Sequence, residues 1–430
     1  MNRENQSVPS RLLDRETNKS NYLKVAYIMS RFPKLTETFI LYEMLAMEKQ
    51  GIQVEVYPLL REKTEVMHPE ARRFVEAAHY QPFISLPIVR ANFHFLWKKP
   101  RTYLATLWDL LRANWGSLNF FTGVIGIFPK VVLFALQMQA EGVNHVHAHF
   151  ASHPAAAGFI IHRLVGIPYS FTAHGSDLHR DRHMLLEKVA EADFVAAISD
   201  YNRELILSEC QGKHADRVRV VHCGVDTEVF QARSHKTPYE KGENPFMILC
   251  VGTLHEVKGQ PYLIEACRVL QERGHNFECH FVGDGPDRKA LNELVEQAGL
   301  TGKVRFHGRL TRDEIARLLL DADVLAAPSV PTRDGRREGI PVVLMEAMGS
   351  GVPVIASNLS GIPELVNNEL TGLLTPPRDA SSLADVLERY LQDPDLRRRL
   401  GNAGRAKVVD EFDLNKNAAI LAQHFLKDRQ

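Results

Sequence analysis

Two glutamates lie eight positions apart in the segment "REGIPVVLMEAM" of residues 337–348. Glu338 precedes a Gly-Ile-Pro sequence, and Glu346 interrupts an apolar run. A buried carboxylate without a partner is costly, so Glu346 needs a cation or several hydrogen-bond donors. Neighbouring hydroxyl groups of a ligand are one such set of donors. The alternatives are that Glu346 pairs with a lysine or arginine, or faces water on an amphipathic helix.

The proline at position 341 predicts where a helix begins in this segment. A helix that starts near Pro341 leaves Glu338 in the preceding loop and places Glu346 in the second turn. With a rise of about 1.5 Å per residue, the two carboxylates would be on the order of 10 Å apart. That is the span from a sugar ring to a ribose across a diphosphate, and a helix start offers free N–H groups to phosphate.

Histidines form a second group of chemically capable residues. In "NHVHAHFASH", His145, His147 and His149 alternate, so they share one face of a strand. No aspartate or cysteine accompanies this motif, and we therefore predict no metal site; His149 is expected to border a cleft while the other two pack. His174, in "SFTAHGSDL", follows a strand and precedes a glycine, and Asp177 is expected to orient it or to bind an acceptor.

Length and composition limit the class of protein. The chain has 430 residues, 45% hydrophobic and 24% charged, which is typical of a soluble protein with two domains. Its formal net charge is zero, so we expect no nucleic-acid partner. Five scattered cysteines without a C-x-x-C pair indicate reduced thiols in the cytoplasm. Residues 1–20 predict a loose polar tail, and no apolar run is long enough for a transmembrane helix.

Short apolar segments such as "LKVAYIM" and "DFVAAIS" alternate with helical patterns, which predicts parallel sheets covered on both faces. The pattern stops in the polar stretch 231–245 and starts again with "FMILCVGTL". We therefore predict a first Rossmann-like domain over 21–230, a linker over 231–245, a second over 246–411, and a closing helix over 412–430. Ligands are expected at the carboxyl ends of the strands, in the cleft between the domains.

The ordered motifs resemble a known family. "VGTLHEVKG", "VGDGPDRKAL", "EGIPVVLMEAM", "GVPVIASNLSGIPELV" and "TGLLTPPRDASSLADVL" resemble the donor domain of the retaining glycosyltransferases of family four, which have the GT-B fold. In the first half, "SRFPKLTETFI", "HVHAHFA" and "SFTAHGSDL" resemble the bacterial exopolysaccharide branch of that family, the colanic-acid type. The resemblance implies two Rossmann-like domains that face a central cleft.

The resemblance also assigns roles to matching residues. Glu346 resembles the residue that holds the nucleotide ribose, and Glu338 the one near the hydroxyls of the donor sugar. The main chain of Gly339 and Ile340 would lie near the sugar or the diphosphate. Lys258 matches the lysine that neutralises the diphosphate, where a leaving nucleotide develops negative charge.

Three further assignments follow from the same motifs. Gly283 and Thr253 match positions in the loops that bind the donor. His174 matches a residue beside the reacting sugar carbon, with its main chain or its ring in contact with the donor. His174 and Glu338 are thus the predicted catalytic residues.

Two departures from the family pattern affect phosphate binding. Thr253 stands where the family usually has an arginine, and the sequence does not choose among the possible substitutes, which are Arg31, Arg333, Arg336 and Arg337. The first loop, "MSRFPKLTET", lacks the usual Gly-Gly turn. A helix capped by Thr36 or Thr38 would still offer N–H groups there.

Residues 88–140 form an aromatic and basic insert in which Asp109 is the only acidic residue. Helices of this kind lie at anionic membrane surfaces, and a lipid-linked acceptor would favour such contact. The alternative is that these helices pack on the first sheet, with the tryptophans in the core. The oily part is interrupted by Gly123, Gly126, Pro129 and Lys130, which we expect to break it.

Together these observations predict a retaining hexosyltransferase that moves a sugar from a UDP- or GDP-sugar to a glycan or polyprenyl-linked glycan. We expect it in the cytoplasm, either free or peripheral on the inner face of the plasma membrane, and without a metal or cofactor. A nicotinamide oxidoreductase is the first alternative, but no G-x-G-x-x-G follows "LKVAYIM". A non-catalytic protein that binds sugar nucleotides is the second.

Overall fold

The computed structural model describes residues 23–34, 37–63, 67–231 and 244–427. The predicted tail, Thr36 and nearly all of the predicted linker lie outside these ranges.

The first domain is built on six parallel strands in the order β2-β1-β3-β4-β5-β6. These strands are β1 (Lys24–Phe32), β2 (Gln53–Arg61), β3 (His145–His149), β4 (Tyr169–Ala173), β5 (Phe194–Ala197) and β6 (Val218–Val220). The helices are α1 (Thr38–Lys49), α2 (Ala71–Ala77), α3 (Leu86–Lys98), α4 (Pro100–Ala113), α5 (Leu118–Glu141), α6 (His153–Val165), α7 (Ser176–His179), α8 (Leu185–Glu191) and α9 (Asp200–Glu209). Every residue of β3, β4 and β5 is buried, because helices cover both faces of the sheet.

The second domain repeats this plan with strand order β12-β11-β10-β7-β8-β9. Its strands are β7 (Phe246–Val251), β8 (Phe277–Val282), β9 (Val304–Phe306), β10 (Val324–Ala327), β11 (Val354–Ser357) and β12 (Leu373–Thr375). Its helices and the last helix of the chain are α10 (Gln260–Glu272), α11 (Arg288–Gln297), α12 (Arg312–Asp321), α13 (Val342–Gly349), α14 (Ile362–Leu365), α15 (Ala380–Gln392), α16 (Pro394–Glu411) and α17 (Leu414–Leu426). The prediction of two doubly wound α/β domains is confirmed.

The chain returns to the first domain at its end. Helix α16 packs on α13 of the second domain, whereas α17 packs on α1 of the first. Phe425 of α17 lies in the same apolar core as Met44 of α1, and its ring centroid is 5.0 Å from that of His145. Helix α17 therefore ties the two domains together.

Helix α5 corrects one expectation, because it runs unbroken through Gly123, Gly126, Pro129 and Lys130. Packing explains the continuity: a Cβ at Gly123 would lie 1.9 Å from Nε2 of His153 in α6, and buried Lys130 donates its ammonium to the carbonyl of Leu59. Within the described ranges, α5 alone is long and apolar enough to cross a membrane by length and composition. In its most apolar window 56% of the residues are buried inside the protein, as in a core helix.

Helices α3 and α4 bear on one of the two alternatives for residues 88–140. They bury Ile88, Phe95 and Leu110 against α5 and the sheet. The three tryptophans of this region point the other way, with exposed fractions of 75% for Trp97, 66% for Trp108 and 76% for Trp115. The interpretation of these tryptophans as core is therefore wrong.

Candidate active site

The two domains meet where the loop after β4 touches the loop before α13. A Cβ on Gly175 would lie 3.1 Å from the Cα of Gly339, and one on Gly339 would lie 2.5 Å from the carbonyl oxygen of His174. Any side chain at Gly339 would therefore push the domains apart. This contact brings His174 and the loop that carries Glu338 and Ile340 to the same end of the cleft.

Lys258 and Glu338 form an ion pair in this cleft. The Lys258 ammonium donates to Glu338 Oε2 at 2.7 Å, and the two side chains are 21% and 16% exposed. Lys258 belongs to a short 3₁₀ turn, Glu256–Lys258, that follows β7, while Glu338 precedes α13. The two residues come from strand ends of the same sheet, so the predicted sugar and diphosphate contacts lie side by side.

Glu346 lies half-buried in α13. No lysine or arginine forms an ion pair with it among the described residues. Burial raises the pKa of the Glu346 carboxyl to about 7, although the positive charge of Arg312 acts in the opposite direction. Among the described residues a standing ion pair is thus not found, and a ligand can supply the donors that this half-buried carboxylate needs.

The loops after β7 and β8 are locked against each other. Gly283 has a φ of +129°, and a Cβ there would lie 2.0 Å from the carbonyl oxygen of Gly252. The Thr253 carbonyl accepts a hydrogen bond from the Gln260 side chain at 3.0 Å. Gly283 and Thr253 are therefore neighbours, and only glycine fits at position 283.

The arginines proposed as substitutes at Thr253 lie in different surroundings. Arg31 is 3.4 Å from Glu62 and lines, together with Thr38, a small cavity at the end of β1. Arg337 is half-buried directly before Glu338, and its charge contributes to lowering the pKa of His179 in the first domain, to about 4, after the larger effect of burial. The charge of Arg337 therefore acts across the contact between the two domains.

The prediction that His149 borders the cleft is wrong, because its side chain is fully buried behind His174. His149 Nδ1 lies 3.0 Å from His174 Nε2, and His174 Nδ1 lies 3.8 Å from the sulfur of Cys223. The His174 ring is thus turned inward, and the main chain is the part of His174 that reaches Gly339. Asp177 accepts hydrogen bonds from the backbone N–H of His174 and of Ala151, which favours its orienting role.

The sequence reasoning missed Glu43, an acidic neighbour of the histidines. Glu43 Oε1 lies 3.3 Å from His149 Nε2 and 4.0 Å from His147 Nε2. The motif therefore does have an acidic companion, contributed by α1, although the expectation of no metal stays a prediction. A signal was present, since Glu43 falls on the same helical stripe as the buried Ile40, Met44 and Met47.

Glu364 was also missed, and it joins the two domains. Its two carboxylate oxygens accept hydrogen bonds from the backbone N–H groups of Asp200 and Tyr201, each at 2.7 Å. These groups are at the start of α9, where a carboxylate is favoured by the helix dipole. Local sequence gives no signal for this contact, because the partners are more than 160 residues apart.

Solved structures share this arrangement of two facing domains. A glycosyltransferase from Rickettsia africae superposes with a TM-score of 0.70 at 18% identity, over 95% of this chain and all of that one. The Anabaena protein HepE, solved in complex with UDP, superposes with a TM-score of 0.67 at 16% identity, over 94% of this chain and all of its own. The fold is the GT-B fold of glycosyltransferases.

Sequence comparisons are more specific. The model "Glycosyl transferases group 1" matches residues 231–407, and "Glycosyltransferase Family 4" matches 117–229. The putative colanic acid biosynthesis glycosyltransferase WcaL of Escherichia coli K12 is 32% identical over 93% of this chain and 100% of its own length. The amylovoran biosynthesis glycosyltransferase AmsK of Erwinia amylovora is 29% identical over 91% and 96%. The chain belongs to glycosyltransferase family four, in the branch of exopolysaccharide enzymes, as its motifs predicted.

Proposed function

We propose that this nucleotide-sugar-dependent glycosyltransferase is a retaining hexosyltransferase of cell-surface polysaccharide synthesis. It takes the hexosyl group from a UDP- or GDP-sugar and delivers it to a glycan or polyprenyl-linked glycan. The observation that carries the proposal is Glu346, a partly buried carboxylate with no ion pair among the described residues, on the helix that begins beside Glu338 and Lys258. Hydroxyl groups of a ribose supply the donors that such a carboxylate needs.

Catalysis in this proposal rests on positioning and charge. When the donor binds, the Lys258 ammonium leaves Glu338 and pairs with the donor diphosphate. The Glu338 carboxylate then accepts hydrogen bonds from the sugar hydroxyls. As the bond between the anomeric carbon and the phosphate oxygen breaks, Lys258 stabilises the charge on the leaving phosphate. The acceptor oxygen bonds to the same face of the anomeric carbon, and the leaving phosphate takes the proton of the acceptor hydroxyl. Arg337, directly before Glu338, is our proposed substitute for the arginine that Thr253 replaces. We predict that no metal or cofactor is required.

The test is donor binding and turnover by the full chain. A thermal-shift screen against UDP-, GDP- and ADP-sugars and NAD identifies the donor, and transfer is then followed with that donor. Glu338→Ala should still bind nucleotide but lose turnover about 100-fold or more. Glu293→Ala, a change in an exposed i,i+4 pair on α11, is the matched control. Unchanged turnover of Glu338→Ala with the donor bound would remove Glu338 from the reacting region, and a shift with NAD alone would refute the function.

We also propose that the exposed aromatic face of α3 and α4 contacts the inner face of the plasma membrane. Trp97, Trp108 and Trp115 project from this region, and the Phe93 and Trp97 rings stack at 6.4 Å. The same segment carries exposed basic residues, namely Arg90, Lys98, Lys99, Arg101 and Arg112. The single acid, Asp109, pairs with Arg163 at 2.9 Å, so it does not offset them. Lys130 is buried and does not belong to this surface.

Sedimentation with vesicles tests the membrane contact. Vesicles rich in phosphatidylglycerol should bind the protein at low salt, whereas phosphatidylcholine vesicles should bind it weakly. Replacing Trp97 and Trp108 with serine should reduce binding without affecting nucleotide affinity. No binding to anionic vesicles at low salt would refute the contact.

A further inference from the structure

A chain of buried polar groups crosses the interior of the first domain. It runs from Glu43 on α1 through His149 at the end of β3 to His174 after β4. Tyr27 of β1 donates its hydroxyl to Glu43 Oε1 at 3.0 Å. None of these side chains was assigned a joint role by the family resemblance, and His174 is the member whose main chain touches Gly339.

The Glu43 carboxylate decides which ring nitrogen of each histidine carries the proton. Nε2 of His149 is buried, has no hydrogen-bond partner among the described residues and lies 3.3 Å from Glu43 Oε1. An ionised carboxylate only accepts hydrogen bonds, so the favourable arrangement places the His149 proton on Nε2. His149 Nδ1 is then an acceptor, and His174 must carry its own proton on Nε2 to donate across the 3.0 Å contact.

The same order of donors and acceptors extends past His174 to Cys223. With its proton on Nε2, His174 presents Nδ1 as an acceptor, and the Cys223 thiol lies 3.8 Å away as a weak donor. Phe39 and Phe150 contact the His174 ring with centroid distances of 4.6 and 4.8 Å. The aromatic contacts thus restrict the ring's tilt, while the hydrogen bonds decide which nitrogen carries the proton.

We infer that Glu43 is a positioning residue that fixes the tautomers of His149 and His174 and so holds the His174–Gly175 main chain against the donor loop. The inference deepens the proposed function and rests on it for its effect on turnover. The chain of polar contacts itself does not depend on which sugar is transferred.

A metal site is the competing explanation, because Glu43, His147 and His149 have ligand atoms within 4.8 Å of one another. Both nitrogens of His147 already have hydroxyl partners, Ser170 at 2.8 Å and Thr172 at 2.9 Å. Metal binding would have to break the contact with Thr172. Burial also lowers the pKa of His149 to about 3, so the His149 ring stays neutral. The geometry therefore favours a chain of polar contacts that runs from Glu43 through His149 to His174.

The experiment compares Glu43→Leu with Glu43→Gln in the full chain. Leucine suits the apolar stripe of α1 but removes the acceptor, whereas glutamine keeps an acceptor oxygen. In ¹⁵N-histidine NMR spectra, the wild type and Glu43→Gln should show His149 and His174 protonated on Nε2, and Glu43→Leu should lose this pattern. With the identified donor, Glu43→Leu should lower kcat about 10- to 100-fold with little change in the donor KM, and Glu43→Gln should restore most of it.

Glu48→Leu is the matched control on the same helix, because Glu48 is half-buried and pairs with Arg73 of α2 rather than with the histidines, and it should alter neither readout. His149→Phe cuts the same chain from the other side and should lower kcat as Glu43→Leu does, which keeps the test decisive if Glu43→Leu does not fold. Unchanged tautomers and kcat in Glu43→Leu would overturn the inference, and so would stoichiometric metal in the wild type that this variant loses. If no donor supports transfer by the wild type, the proposed function fails. The NMR pattern still shows whether Glu43 fixes the tautomers of His149 and His174.

Discussion

Replacing Glu346 with glutamine should stabilise the protein and weaken its binding of nucleotide-sugar, and both effects should depend on pH. In the folded protein the pKa of Glu346 is raised from 4.5 to about 7 by burial. The folded state therefore holds this proton more tightly than the unfolded state does. Folding becomes less favourable as the pH rises from about 4.5 to about 7, and the full penalty is present above 7.

The size of the penalty follows from the same two values. A tenfold change in proton affinity corresponds to about 1.4 kcal/mol, so ionised Glu346 costs at most about 3 kcal/mol of folding free energy at pH 8. Glutamine removes this cost because it carries no charge. Glu346→Gln should unfold at a higher temperature than the wild type at pH 8, and the difference should shrink towards pH 5.

The affinity for nucleotide-sugar should rise with pH, whereas the stability of the fold falls. Ribose hydroxyls donate to the ionised carboxylate, and only about a tenth of the Glu346 side chains are ionised at pH 6, against about nine tenths at pH 8. The wild type should therefore bind a nucleotide-sugar up to about tenfold more weakly at pH 6 than at pH 8. Glu346→Gln should bind about 10- to 100-fold more weakly at pH 8, since hydrogen bonds to a charged group contribute about 1.5–3 kcal/mol.

Titration calorimetry at pH 6, 7 and 8 measures these affinities, and scanning fluorimetry at the same pH values and at pH 5 gives the unfolding midpoints. A nucleotide-sugar is the appropriate ligand, because its diester phosphates do not titrate in this range. Glu293→Gln serves as the control for a glutamate on the surface of the same domain. Equal affinity of the wild type at pH 6 and pH 8, together with normal binding by Glu346→Gln, would refute the assignment of Glu346 to the ribose.

Two further predictions concern the loops and the domain contact. Glu364→Ala removes both acceptors at the start of α9 and should speed hydrogen exchange at the amides of Asp200 and Tyr201; unchanged exchange would show that the domains separate there in solution. Gly283→Ala should weaken donor binding tenfold or more, because its Cβ would lie 2.0 Å from a backbone oxygen, whereas Gly302→Ala, also at positive φ but with nothing within 4 Å, should not. Equal affinities in calorimetry for the two glycine variants would contradict this reasoning.

Local sequence was sufficient for the architecture of the two sheets. Segments such as β5 and β11 are continuously apolar because both of their faces are covered, and this pattern is visible without any partner. Lys258, Glu338 and Glu346 were singled out because their motifs resemble those of a known family, and their roles stay predictions. The structure adds that Lys258 and Glu338, 80 positions apart in sequence, form an ion pair.

Contacts between distant segments were decided only by the tertiary structure. Glu43 and His149 are over 100 positions apart in sequence, and they meet because α1 packs over the face of the sheet on which the histidines lie. The tryptophans of α3 and α4 have the same apolar character whether buried or exposed, and their direction was fixed only when Ile88 and Phe95 packed against α5. The hydrophobic pattern of a segment indicates which of its faces are buried. The contacts between residues of distant segments depend on how the whole chain packs.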